Sequence, residues 1–114
     1  MKNIFAKSIL VVIPAFFLLL PLVSFNEKAI ERKPDKHTIE IYQMKFRPDV
    51  ITVKKGDTVE RINKDFYKHD VTGKDKSWTS KPFGQNERWS KIFTEDETYY
   101  CNLHPTMKGS IKVE

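Results

Sequence analysis

The run His37–Asn63, "HTIEIYQMKFRPDVITVKKGDTVERIN", decides how this chain folds. Its apolar residues come in short sets that alternate with polar ones: Ile39 and Ile41, then Met44 and Phe46, then Ile51 and Val53, then Val59 and Ile62. Successive side chains of a strand point to opposite faces, so an apolar period of two marks strands with one buried face. Turn residues punctuate the sets, with Lys55-Gly56-Asp57 after "VITV" and Asn63-Lys64-Asp65 after "VERIN". On this reading Met44 belongs to the buried face of the first strand.

The pattern continues downstream. Gly73 closes a run that starts at His69, and further strands are expected at "RWSKIFT", "TYYC" and "GSIKVE". Only "GKDKSWTSKPFGQN", residues 73–86, lacks a clear period and reads as irregular loop with room for a short helix or strand. Short strands with regular turn signals imply an all-β domain, a sandwich or a barrel. The aromatic residues Trp78, Phe83, Trp89, Phe93, Tyr99 and Tyr100 read mainly as core packing.

Upstream the character changes. "MKNIFAKS" carries two lysines and no acid, and residues 9–25 form an almost unbroken apolar run. This is the layout of an export signal. At roughly 17 residues the run lies between a signal core and the ~20 of a spanning helix, and Pro14 and Pro21 weaken it as a helix. No clean small-x-small cleavage site follows, so an uncleaved membrane anchor stays open. Residues 1–25 are thus read as signal or anchor, 26–36 as a polar linker containing Pro34, and 37–114 as the domain. The compartment expected is the periplasm or the outer face of the cytoplasmic membrane.

With 114 residues the chain has room for one core. Its formal charge is +5, and leaving out Lys2 and Lys7 brings it to +3, too mild for a nucleic-acid-binding footprint. Export also makes the single cysteine conspicuous, because small exported domains usually pair their thiols.

Cys101 begins the sequence "CNLHPTM", which sets a thiol, the His104 imidazole and the Met107 thioether three residues apart. Two other histidines remain. His37 lies at the domain edge and reads as solvated, whereas His69 begins an expected strand, a fixed platform for a fourth donor. Two imidazoles, a thiolate and a weak thioether are the donor set of blue-copper electron-transfer sites. Structural zinc sites close with more cysteines or histidines, and iron–sulfur clusters need more thiolates than one. Taken singly, Cys101 and Met107 would read as buried apolar residues and His104 as a surface ring; their conjunction favours copper.

These residues also carry a resemblance. "FRPDVITVKKGDTVERINKDFYKHDVTG" together with "YYCNLHPTMKGSIKVE" resembles the plastocyanin/azurin-type cupredoxins, and the short His104 to Met107 gap resembles their amicyanin-like branch. The resemblance implies a Greek-key β-sandwich holding one mononuclear type 1 copper. His69, Cys101 and His104 would be its equatorial ligands and Met107 the axial one. Tyr99 would stand where sandwich folds often have a tyrosine corner.

Two positions depart from the family. Arg61 in "VERIN" stands where an aromatic residue is common, which would leave one site unfilled or facing solvent. Asp70 stands where Asn is common, and its carboxylate is expected to keep a strap to Asn102 while favouring Cu(II).

The function implied is a monomeric one-electron carrier, not an enzyme, since three histidines cannot furnish a second copper type. Redox proteins would dock near His104, beside Leu103 and Pro105, with Lys68 and Lys108 steering an acidic partner. No nucleic acid is involved, and any membrane contact runs through the N-terminal segment. The alternative is a copper scavenger or delivery protein using the same ligands.

Overall fold

The structure, a computed structural model, describes residues 10–26 and 30–114. Lys2 and Lys7 of the expected signal lie outside the described residues. The chain divides into two units, Met1–Ile30 and Glu31–Glu114.

In the first unit, residues 10–26 have no regular secondary structure. Local bonds such as Phe17 N–H to the Ala15 carbonyl shape tight three-residue turns, and large apolar side chains from Leu10 to Phe25 are exposed. Among the described residues no helix is long and apolar enough to cross a membrane.

The second unit is built of eight strands: β1 (Lys36–Tyr42), β2 (Lys45–Arg47), β3 (Val50–Val53), β4 (Thr58–Asn63), β5 (Thr72–Gly73), β6 (Arg88–Ile92), β7 (Glu97–Tyr100) and β8 (Lys108–Val113). They form two four-stranded sheets, ordered β2-β1-β4-β6 and β3-β8-β7-β5. β1 runs parallel to β4, and β3 parallel to β8; the other pairs are antiparallel. The inner faces meet in one core, to which β1 contributes Ile39 and Ile41, β2 Phe46, β3 Val53, β4 Val59, β7 Tyr99 and β8 Ile111. Each such aliphatic or phenyl side chain stabilises the fold by about 1.5–3 kcal/mol. The all-β sandwich expected from the alternation is the architecture found.

Three details differ from the alternation. Met44 is not a core residue: it is 37% exposed and shares a two-residue hairpin turn with Gln43. Both have positive φ, 51° and 62°, as a hairpin turn matched to strand twist demands, but neither is the Asn or Gly that usually signals one. His69 does not begin a strand. It is held by a single antiparallel bridge to Phe83, with N–H to carbonyl bonds of 3.2 and 2.9 Å, and β5 starts only at Thr72. His37 is not solvated but half-buried on β1, its Nε2 2.9 Å from Asp57.

Arg61 differs most. It lies on the inner face of β4 between Val59 and Asn63 and is wholly buried, neither leaving a gap nor facing solvent. Its guanidinium sits 4.6 Å from the Tyr99 ring centre, 5.2 Å from Phe93 and 5.8 Å from Trp89, so it occupies the volume of an aromatic residue by stacking on aromatic neighbours. Among the described residues none of its three nitrogens has a hydrogen-bond partner. The Tyr99 hydroxyl, though close to the guanidinium, is also unbonded, so Tyr99 forms no tyrosine corner. Its ring instead packs edge-on to Phe46 at 4.8 Å and over Gly109, its cross-strand partner on β8, where any Cβ would overlap it.

Candidate metal centre

Cys101 is the first residue beyond β7, and β8 begins at Lys108, so the loop between them must reverse within seven residues. Three backbone bonds make that reversal: His104 N–H to the Cys101 carbonyl at 3.2 Å, Met107 N–H to the His104 carbonyl at 2.9 Å, and Cys101 N–H to the Met107 carbonyl at 3.1 Å. The loop is closed on itself, which brings residues three apart around one point. Cys101 and Met107 are buried, His104 is half-buried, and Leu103 is 48% exposed.

His69 arrives from the other sheet's side chain network. Asn63, buried at the end of β4, donates from Nδ2 to the carbonyls of Tyr67 and Phe83 at 2.8 and 3.0 Å, and its Oδ1 accepts the Asp65 N–H at 2.9 Å. That Asx turn aims the Asp65 carboxylate inward. The carboxylate accepts the N–H groups of Gln43 and Met44, at 2.6 and 2.9 Å, and faces His69 Nε2 at 2.8 Å. Burial opposes ionisation of Asp65, but these donors outweigh it, and its pKa falls below the usual carboxylate value. An ionised carboxylate only accepts, so the proton of His69 resides on Nε2 and Nδ1 presents a lone pair.

That lone pair faces the loop. His69 Nδ1 is 3.1 Å from His104 Nδ1 and 3.8 Å from Cys101 Sγ, and the sulfur is 4.0 Å from His104 Nδ1. The point equidistant from the three atoms is about 2.1 Å from each, within the span of metal–nitrogen and metal–sulfur bonds. Among the described residues this is the one cluster of three such donors. Two imidazole nitrogens and a thiol, converging this closely with His69 and Cys101 fully buried, suit a soft cation rather than one another.

A strap joins the two ligand-bearing segments. Asp70 N–H points at Cys101 Sγ at 3.3 Å, while its carboxylate accepts the Asn102 N–H at 2.8 Å and the Thr72 hydroxyl at 3.0 Å. Asn102 Nδ2 completes the circuit to Thr72 at 2.7 Å. Asp therefore performs the bridging expected of Asn at this position.

His69, Cys101 and His104, picked out by residue type and spacing, are thus brought together, with Met107 buried on the same closed loop. Sequence reading missed Asn63 and Asp65, which it took as turn residues. Their only signal was the Asn-x-Asp turn itself, and a spacing of four between Asp65 and His69 carries no geometric meaning outside a helix.

Comparison with known proteins agrees with this geometry. Residues 34–114 match the family of copper binding proteins of plastocyanin/azurin type. The chain is 31% identical over 83 residues to amicyanin of Paracoccus denitrificans, covering 67% of this chain and 63% of that protein. It is 29% identical over 108 residues to amicyanin-alpha of Methylorubrum extorquens, covering 88% and 91%. Among solved structures, a reduced single-residue mutant of amicyanin superposes with a TM-score of 0.66 at 28% identity, over 74% of this chain and 87% of that one. A copper-containing nitrite reductase from Thermus scotoductus superposes with a TM-score of 0.65 at 28% identity, over 73% of this chain but only 23% of that enzyme. Copper at a single mononuclear type 1 site is the cofactor this family carries, and the donors present here fit it. The chain belongs to the plastocyanin/azurin family of copper binding proteins.

Proposed function

We propose that this protein is a blue-copper electron carrier, exported from the cytoplasm and exchanging single electrons with redox proteins. The observation that carries the reading is the triangle of His69 Nδ1, His104 Nδ1 and Cys101 Sγ, whose size suits one metal ion. These three would be the equatorial ligands, with Met107 as the weak axial one. Copper, when bound, supplies a one-electron couple between Cu(II) and Cu(I).

What the protein's own residues contribute is rigidity. Asp65 locks the ring of His69, the strap through Asp70 and Asn102 locks Cys101, and the closed loop locks His104. Donors that cannot relax keep one arrangement in both oxidation states, which keeps reorganisation small and transfer fast. Burial of Cys101 and His69 excludes water, leaving half-buried His104 as the route by which electrons leave. Exposed Leu103 and Pro105 beside it offer a small apolar face of the kind weak, fast encounters use, and Lys68 and Lys108 supply positive charge toward an acidic partner. Export is supported by the apolar N-terminal run and by nothing else in the chain.

The test is direct. The purified chain, titrated with Cu(II), should take up one equivalent, develop an intense thiolate-to-copper absorption band, and cycle reversibly in a redox titration. Cys101→Ser should abolish the band. A colourless chain that binds only Cu(I) would instead establish the delivery role.

A further inference from the structure

Arg61 is the feature that the electron-carrier reading does not absorb. It is a cation sealed inside a β-sandwich, fully buried and without a hydrogen-bonded anion among the described residues. A guanidinium stays protonated even there, because its intrinsic pKa is too high for burial to neutralise it. The nearest groups are aromatic: Tyr99, Phe93 and Trp89, whose ring faces hold the charge without cancelling it. The buried carboxylates are committed elsewhere: Asp57 to Arg32 and His37, Glu60 to Lys36 and Arg88, Asp65 to Gln43, Met44 and His69, and Asp70 to Asn102 and Thr72.

Arg61 also stands close to the metal centre. It contacts Tyr99, and two residues of extended strand, about 7 Å, lead from Tyr99 to Cys101. On its own strand it is two residues before Asn63, which anchors the turn that holds Asp65. The path between is dry core, where mobile ions do not screen.

We propose that Arg61 is a built-in redox-tuning cation, a fixed positive charge that biases the bound copper toward Cu(I) and so raises its reduction potential. The inference rests on the copper-carrier reading. Its physics is simple: the oxidised centre carries one more positive charge than the reduced one, so an unneutralised cation nearby destabilises it selectively. An ion pair would cancel that field, and an aromatic cage does not.

The experiment compares two neutral variants with the parent in the full chain: Arg61→Met, which removes the charge and part of the volume, and Arg61→Trp, which removes the charge and fills the aromatic cage. Dissociation constants for Cu(I) and Cu(II) are measured by chelator competition, alongside the midpoint potential and the Cu(II) EPR spectrum. Arg61→Met should reduce the preference for Cu(I) over Cu(II) about tenfold, the size expected of one charge at this range, with the EPR spectrum unchanged. Arg61→Trp should shift the preference by the same amount within about threefold, because it removes the same charge. A preference unmoved in Arg61→Met, or moved in Arg61→Met but not in Arg61→Trp, overturns the proposal in favour of a packing role. Should Arg61→Met not fold, Arg61→Trp alone serves as the neutral variant, matched to its aromatic surroundings. A parent chain that never turns blue refutes the carrier reading itself; a blue parent with an unshifted neutral variant refutes only this inference.

Discussion

Two buried aspartates stand at opposite ends of β4, and they are bonded alike. Asp57, just before the strand, accepts the N–H groups of Asp35 and Lys54, both at 3.0 Å, and faces His37 Nε2 at 2.9 Å. Asp65, just after it, accepts the N–H groups of Gln43 and Met44 and faces His69 Nε2 at 2.8 Å. The difference lies in what surrounds each histidine. Asp57 also binds the Arg32 guanidinium, so its cluster is closed and internally neutralised. Past Asp65 the ring of His69 turns its free nitrogen toward another imidazole and a thiol. One carboxylate–histidine arrangement thus serves architecture at one pole and a metal centre at the other.

The comparison breaks most visibly if both aspartates are neutralised in turn. Asp65→Asn should weaken copper binding by about 10–100-fold, since it loosens the orientation and basicity of His69, while Asp57→Asn should leave affinity within about twofold by chelator competition. Equal effects would mean that the two clusters do not differ in function.

Acid sharpens the contrast from the other side. The Arg32 hydrogen bond, followed by that from His37, holds the Asp57 carboxyl well below the usual carboxylate range. A carboxylate with a depressed folded-state pKa contributes stability that is complete above its unfolded value, about 4, and lost as pH falls toward the folded one. Thermal unfolding of the apoprotein should therefore shift to lower temperature below about pH 4. Asp57→Asn should lower the melting temperature at neutral pH and flatten that acid dependence.

Within the core between the poles, Gly109→Ala should cost about 1–3 kcal/mol in urea unfolding, because its methyl would strike the Tyr99 ring beneath Arg61. Asp70→Asn should raise the reduction potential while keeping the blue spectrum, because the amide oxygen can still accept from Asn102 and Thr72. No change, or a fall, would refute a charge effect of Asp70. The smallest response is expected of Tyr99→Phe, within about 1 kcal/mol, since the hydroxyl it removes has no partner to lose.

The amino-acid sequence alone determined the sandwich and the donor inventory. Alternation is a local property, and a period of two at Ile39/Ile41 or Ile51/Val53 leaves a chain few ways to bury one face. Likewise a single thiol with two well-placed imidazoles and a thioether admits few metals. It misjudged Met44, whose turn lacked the usual Asn-Gly signal, and it could not see the bridge to Phe83 that holds His69 outside any strand. What only the tertiary structure decided were the long-range partners. Asp65 on His69, Asp70 on Asn102 and Arg61 within its aromatic cage are side-chain encounters across turns, loops and sheets, set by which strands pair and in which register. No local rule encodes them, because burial of a charged group depends on neighbours that the chain brings together only once it is folded.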